Sequence, residues 1–237
     1  MRENFQRVED GDVVHIEVNF EVEDFKEMYP WLLSIFVKYD GLDESQEGYE
    51  EFLETKEALI IALEHNDRAV YVGGRIVDGW SELYFYSYDS KRLDPTLKQI
   101  LAPSNYVYES NIVRDTKWGF YEKQLLPTEL EICHIESAKI IFLLQEENDD
   151  LTKEREVEHY LSFEMPTQKN RFINTLDLEG FTMKDEISSE EFEHGIVLVK
   201  AHTLLEDTVK ENVTNLFNAV KKDGGFYEGR STTLVDE

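Results

Sequence analysis

The chain has 237 residues, with 51 Asp and Glu against 24 Lys and Arg, a formal net charge of −27 and 41% apolar residues. That length allows one large domain or two small ones. No apolar run approaches the roughly 20 residues of a membrane span, the start Met1-Arg2-Glu3-Asn4-Phe5 lacks the apolar core of a secretion signal, and nucleic-acid phosphates would repel so acidic a chain unless it carried a basic patch, which the sequence does not hold, so a cytoplasmic protein without membrane or direct nucleic-acid partners is expected.

From the N-terminus, Val14, Ile16, Val18 and Phe20 alternate with polar residues and predict a half-buried strand over 13–20. A second strand over 31–39 follows Pro30 and ends at Asp40-Gly41, and the two read as a hairpin or adjacent antiparallel pair. Apolar residues Tyr49, Phe52, Leu53, Leu59, Ile60 and Leu63 recur at helical spacing, predicting an amphipathic helix over 47–64. Residues 69–77 and 80–88 read as strands joined by Asp78-Gly79, a dipeptide suited to a type I′ turn. Gly73-Gly74 marks a bulge in the first of them. A short helix starting at Asp94-Pro95 ends before Pro103, and a strand over 106–113 closes the first α+β unit, taken as residues 1–126.

The second unit, 127–237, opens with a helix capped by Thr128 and running through Leu144. Leu130, Cys133, Ile140, Ile141 and Leu144 line one face while Ile132, Ile135 and Phe142 occupy others, which predicts burial from two sides and a place between the two units. There follow a strand over 157–163, a helix over 167–179, strands over 181–187 and 196–202, a helix over 205–222 and a strand over 225–235. That βαββαβ order predicts a ferredoxin-like sandwich, a four-stranded antiparallel sheet with both helices on one face. The first unit is expected to be a related α/β sandwich. Divided at residue 126, the chain carries 13 basic and 26 acidic residues before the boundary and 11 basic and 25 acidic after it, so the acidity belongs to the whole surface.

In the second unit, Arg155-Glu156-Val157-Glu158-His159-Tyr160-Leu161-Ser162-Phe163, Gly180-Phe181 after a helix, and Gly224-Gly225-Phe226-Tyr227-Glu228-Gly229 resemble the B-type regulators of ribonuclease activity over residues 128–237. In that family the end usually reads Gly-Gly-x-Tyr-Asp-Gly-Trp, so here Glu228 stands for the Asp and Arg230 for the Trp. Tyr71-Val72-Gly73-Gly74-Arg75, Tyr84-Phe85-Tyr86 and Trp118-x-x-Tyr121 make the first unit similar to an uncharacterised domain family that commonly precedes this regulator. The resemblance implies a ferredoxin-like second domain that acts by binding another protein, in the best known member ribonuclease E, and that inhibits without being an enzyme.

The residues themselves offer few catalytic constellations. His15, His65, His134, His159, His194 and His202 show no spacing that pairs two metal ligands on one helical face, and neither glycine pair forms a phosphate loop, so no metal or cofactor is expected. Cys133, the one cysteine, allows no internal disulfide and lies among apolar residues with no adjacent base, as a small hydrophobe does. His159 shares strand parity with Val157, Leu161 and Phe163 and points inward, as a hydrogen-bonded core histidine or as a catalytic or pH-sensing one.

Two surfaces are candidates for recognition. Trp80, Glu82, Tyr84, Tyr86 and Tyr88 share one face of a strand, which Tyr71 and Tyr106 or Tyr108 could extend. It reads either as a tyrosine-rich binding surface or as part of a core. Tyr227 and Glu228 of the terminal motif are further candidate binding residues, and the other surface is the open sheet face of the second domain, with Glu156, Glu158, Tyr160, Ser162 and Glu164. Its carboxylates suit solvent or an Arg- or Lys-rich segment of a ribonuclease or another basic protein. Three functions are therefore in play: a protein-binding regulator, an acidic mimic of nucleic acid, and an enzyme with a site between the domains.

Overall fold

The structure is a computed structural model and describes residues 1–91, 93–104, 106–188 and 194–235. The chain divides into two compact units, residues 1–127 and 128–237.

Unit 1 is an antiparallel sheet in the order β1-β2-β4-β5-β3-β6, made of β1 (Arg2–Glu9), β2 (Asp12–Asn19), β3 (Trp31–Val37), β4 (Ala69–Val77), β5 (Trp80–Ser87) and β6 (Tyr108–Arg114). Asp78 and Gly79 both take positive φ, 51° and 77°, and close the β4–β5 hairpin as predicted. The bulge falls between Tyr71 and Gly73, where φ is +147° and a Cβ on Gly73 would meet the Glu17 carbonyl at 2.3 Å, so only glycine lets β2 approach this closely. The expected pairing of the first two predicted strands does not occur. β2 lies between β1 and β4, and β3 lies between β5 and β6. β1 was not predicted because Arg2–Glu9 offers only Phe5 and Val8 as apolar residues, and its place is set by pairing with β2.

Both faces of this sheet are covered. Helices α1 (Tyr49–Glu64) and α2 (Leu93–Leu101) bury Phe52, Leu59, Leu63, Leu93 and Leu97 against Leu33, Ile35, Leu83 and Phe85. The opposite face packs Val14, Ile16, Val18, Val72, Tyr84 and Tyr86 against Trp118, Tyr121 and Leu125, from a segment that ends in one π-helical turn, Tyr121–Leu125.

Unit 2 contains α3 (Glu129–Glu146), β7 (Arg155–Phe163), α4 (Pro166–Thr175), β8 (Thr182–Ile187), β9 (Gly195–His202), α5 (Glu206–Lys222) and β10 (Gly225–Thr232). The sheet order is β10-β7-β9-β8 with all neighbours antiparallel, the order 4-1-3-2 counted within the unit. Phe172 of α4 and Leu216 and Val220 of α5 pack on Leu161, Phe163, Ile196 and Leu198, so both helices cover one face, the ferredoxin-like arrangement. Gly224 ends α5 at φ +73°, the left-handed close that its glycine predicts.

Thr128 caps α3 through a full capping box: Oγ1 accepts from the Glu131 amide, and the Glu131 carboxylate accepts from the Thr128 amide. Ile141 packs with Val157, Val209 and Val213, whereas Ile132, Phe142 and Leu143 stay exposed.

Candidate functional site

Alternation along β7 sends Glu156, Glu158, Tyr160 and Ser162 to the face of the unit 2 sheet away from α4 and α5. Opposite them on β10, Tyr160 faces Gly229 and Glu158 faces Ser231, with a bulge between Tyr227 and Gly229 that turns the inserted Glu228 toward this same side. The side chains are already ordered by one another. The Tyr160 hydroxyl donates to Glu158 Oε2 at 3.0 Å and lies 2.7 Å from Ser231 Oγ. Ser162 Oγ donates to Glu228, and Lys184 of β8 pairs with the other oxygen of Glu158. Hydrogen bonds from Lys184 and Tyr160 hold the Glu158 carboxyl below its usual range. Glu156 and Glu228 are exposed, so the face presents fixed negative charge beside the edge of one tyrosine ring.

Tyr227 does not belong to that surface. Paired with Leu161, it turns to the helix-covered side, and its hydroxyl meets His159 Nδ1 at 3.0 Å. His159 is fully buried, and its Nε2 lies 3.5 Å from Nε2 of buried His202, whose Nδ1 sits 2.6 Å from the Thr203 carbonyl. That carbonyl can only accept, which fixes the proton of neutral His202 on Nδ1 and leaves Nε2 bare. His159 must then carry its proton on Nε2 and offer Nδ1 to the Tyr227 hydroxyl. Tyr227, His159, His202 and Thr203 thus form one chain of hydrogen bonds with a single direction. It fastens β10, β7 and β9 together and could pass a proton by tautomer exchange.

Charge around this chain is basic. Burial, followed by the nearby His202, Arg230 and Lys200, holds His159 down to about 3, and burial lowers His202 as well. Burial likewise raises the Tyr227 phenol, so the chain is neutral at physiological pH. Arg230, paired across the ladder with His159, is buried and donates from Nη2 to the Ser137 carbonyl of α3 at 3.1 Å. A second buried arginine, Arg155, is fully engaged, with Asp149 at 2.6 Å and the carbonyls of Asp150, Lys153 and Thr233 as acceptors.

The aromatic stripe of unit 1 resolves as core. Tyr84 and Tyr86 are buried, so neither offers a binding surface. Tyr84 is tilted against Phe120 with ring centroids 4.3 Å apart and donates to Glu82 at 2.7 Å, and Tyr86 lies flat on Trp118 at 4.0 Å and donates to Asp115 at 2.7 Å. Tyr71, Tyr106 and Tyr108 belong to the opposite, helix-covered side and do not extend the stripe. Trp80 is half-buried with Lys38 Nζ 4.9 Å from its ring centroid, and only Tyr88, just beyond the end of β5, is well exposed. Asp115 is the organiser here. Its two oxygens accept the amides of Gly119 and Phe120, each at 3.0 Å, which starts the helical turn carrying Tyr121 and seats Trp118 at φ 53°.

His202 and Arg230 escaped sequence reasoning. Strand alternation from Leu198 could have placed His202 inside, whereas Arg230 sits inside only because of the bulge. Among the described residues no group of three or more His, Cys, Asp or Glu could hold a metal, and no helix is long and apolar enough to cross a membrane. Two family models match the chain. Residues 5–126 match DUF695, described as a family of unknown function, and residues 134–232 match RraB, regulator of ribonuclease activity B. None of the curated proteins searched matches it.

Proposed function

The chain belongs to DUF695, a family of unknown function, and joins to it a segment that matches the RraB regulators; from this premise we propose that it is a non-enzymatic regulator that works in the cytoplasm by binding another protein. Its partner is a basic protein, a ribonuclease being the class that the RraB match favours. The observation that supports this reading is the outer face of the unit 2 sheet, where Glu156, Glu158, Tyr160 and Glu228 form a prearranged acidic patch on rigid strands. A patch of this sign speeds encounter with an Arg- or Lys-rich segment and selects against acidic partners.

Affinity capture from the native cell at physiological salt tests it, comparing the unaltered chain with the triple variant Glu156→Lys, Glu158→Lys, Glu228→Lys. The expected result is a basic protein that the unaltered chain retains and the variant holds on the order of tenfold or more weakly. Equal capture by both, or none by either, would overturn the proposal. Added nucleic acid that displaces the partner would identify the patch as a mimic of nucleic acid.

A further inference from the structure

The edges of the two sheets are not guarded alike against pairing with another chain. β1 carries Arg2, Glu3, Arg7 and Glu9, β8 carries Lys184, Asp185 and Glu186 with a bulge between Met183 and Asp185, and β10 is bulged between Tyr227 and Gly229. β6 is the exception. It keeps register with β3 from Tyr108 to Arg114, has neither bulge nor proline, and carries charge only at Glu109 and Arg114. Glu109, Ser110, Asn111, Val113 and Arg114 are all exposed.

The ladder shows which backbone groups of β6 are free. Lys38 donates to the Val107 carbonyl and Asp115 to the Pro30 carbonyl, both at 2.9 Å, so the odd-numbered residues from 107 to 115 turn their N–H and C=O groups toward β3. Those of Tyr108, Ser110, Ile112 and Arg114 point the other way, off the end of the sheet, and have no hydrogen-bond partner among the described residues. Only solvent is left to satisfy them.

A second β6 meets these groups in one register. Both members of a bonded antiparallel pair must turn their groups toward each other, so even-numbered residues of one copy bond only to even-numbered residues of the other. A two-fold axis through Asn111 sets Tyr108 against Arg114 of the second copy and Ser110 against its Ile112, engaging the outward residues of both strands in about eight hydrogen bonds. A slip of two residues either way leaves an outward residue of each strand unmatched. The side chains agree with this register. Arg114 meets the Tyr108 ring, Glu109 meets Val113, and the Asn111 amides meet each other, so no like charges face across the seam although each chain carries a net charge of −27.

We propose that β6 is a self-complementary edge through which two copies of the chain join their unit 1 sheets about a two-fold axis. A seam one strand long falls below the roughly 1,200 Å² of standard interfaces, so the dimer is weak and reversible. The seam belongs to unit 1 and is independent of the acidic face of unit 2, and its failure would leave the protein-binding reading untouched.

The test is sedimentation equilibrium of the full chain in about 0.5 M sodium chloride, which screens the acidic surfaces. The unaltered chain should pass from monomer toward dimer with a midpoint on the order of 0.1 mM. Ser110→Pro should weaken association on the order of tenfold or more, because it removes an outward N–H and no bond to β3. Ser110→Ala keeps that N–H and should associate as the unaltered chain does. Equal association of S110P and the unaltered chain would overturn the seam. So would a chain that stays monomeric to about 1 mM, which would leave the edge to a strand of another protein. Should S110P fail to fold, amide exchange of the unaltered chain decides the matter: slower exchange at Ser110, Ile112 and Arg114 as concentration rises supports the seam, and no change there refutes it.

Discussion

Unit 1 and unit 2 both lay helices on one face of an antiparallel sheet, and they part company over the other face. In unit 1 the Trp118–Leu125 segment seals it with aromatic rings, and each buried hydroxyl there meets a fixed acceptor: Tyr84 on Glu82, Tyr86 on Asp115, Tyr121 on the Asn19 carbonyl. In unit 2 that face keeps its carboxylates in view, while basic groups are hidden on the covered side. The difference separates two uses of polar residues. In unit 1 they finish a core, and in unit 2 Glu156 and Glu228 stay exposed on the outer face while Arg230 and two histidines lie inside.

The contrast can be broken most forcefully in unit 1. Trp118→Ala removes the ring stacked on Tyr86 and the indole bond to the Tyr29 carbonyl at 2.8 Å, and should cost about 3–5 kcal/mol, seen as loss of the cooperative near-ultraviolet melting of that unit. In unit 2, Asp149→Asn leaves Arg155 buried without its counter-ion and should cost about 3 kcal/mol in urea unfolding. Acid sharpens the comparison next. His159 titrates at about 3 in the folded chain against roughly 6.5 unfolded, so the unfolded state binds the extra proton between those values. The stability His159 confers is complete above roughly pH 6.5 and falls by about 1.4 kcal/mol per unit as pH drops toward 3. His159→Gln should flatten that slope by the contribution of one proton, measured by urea unfolding at a series of pH values. A variant with the same slope as the unaltered chain would mean that the imidazole is not held neutral. The smallest effect belongs to the open face: Glu156→Gln with Glu228→Gln should change stability by less than about 0.5 kcal/mol, because exposed carboxylates contribute little to folding. A larger loss would mean that the acidic patch is structural.

Most of the architecture was legible because it rests on local chemistry. Thr128 announces α3, Asp78-Gly79 announces the β4–β5 turn, and the spacing of Phe52, Leu59 and Leu63 announces α1. The misses are those where distant parts of the chain decide. Tyr84 and Tyr86 look like a surface until the residues around Trp118, some 30 positions later, fold over them. The edge strand β1 has too few apolar residues to advertise itself. Alternation along β7 is unbroken and gives the side of Glu156, Glu158 and Tyr160 directly, whereas on β10 the pattern is interrupted at Glu228, so local spacing does not show that Tyr227 and Arg230 both turn inward.

That interruption has a genetic side. Because Glu228 is the inserted residue of the bulge, Tyr227 and Arg230, three positions apart, both reach the interior. Deleting the single codon for Glu228 would straighten β10 without reversing either side chain, since Tyr227 would stay opposite Leu161 and Arg230 opposite His159. One carboxylate would vanish from the exterior with the interior unaltered. The two sides of this strand can therefore be inherited, and lost, separately.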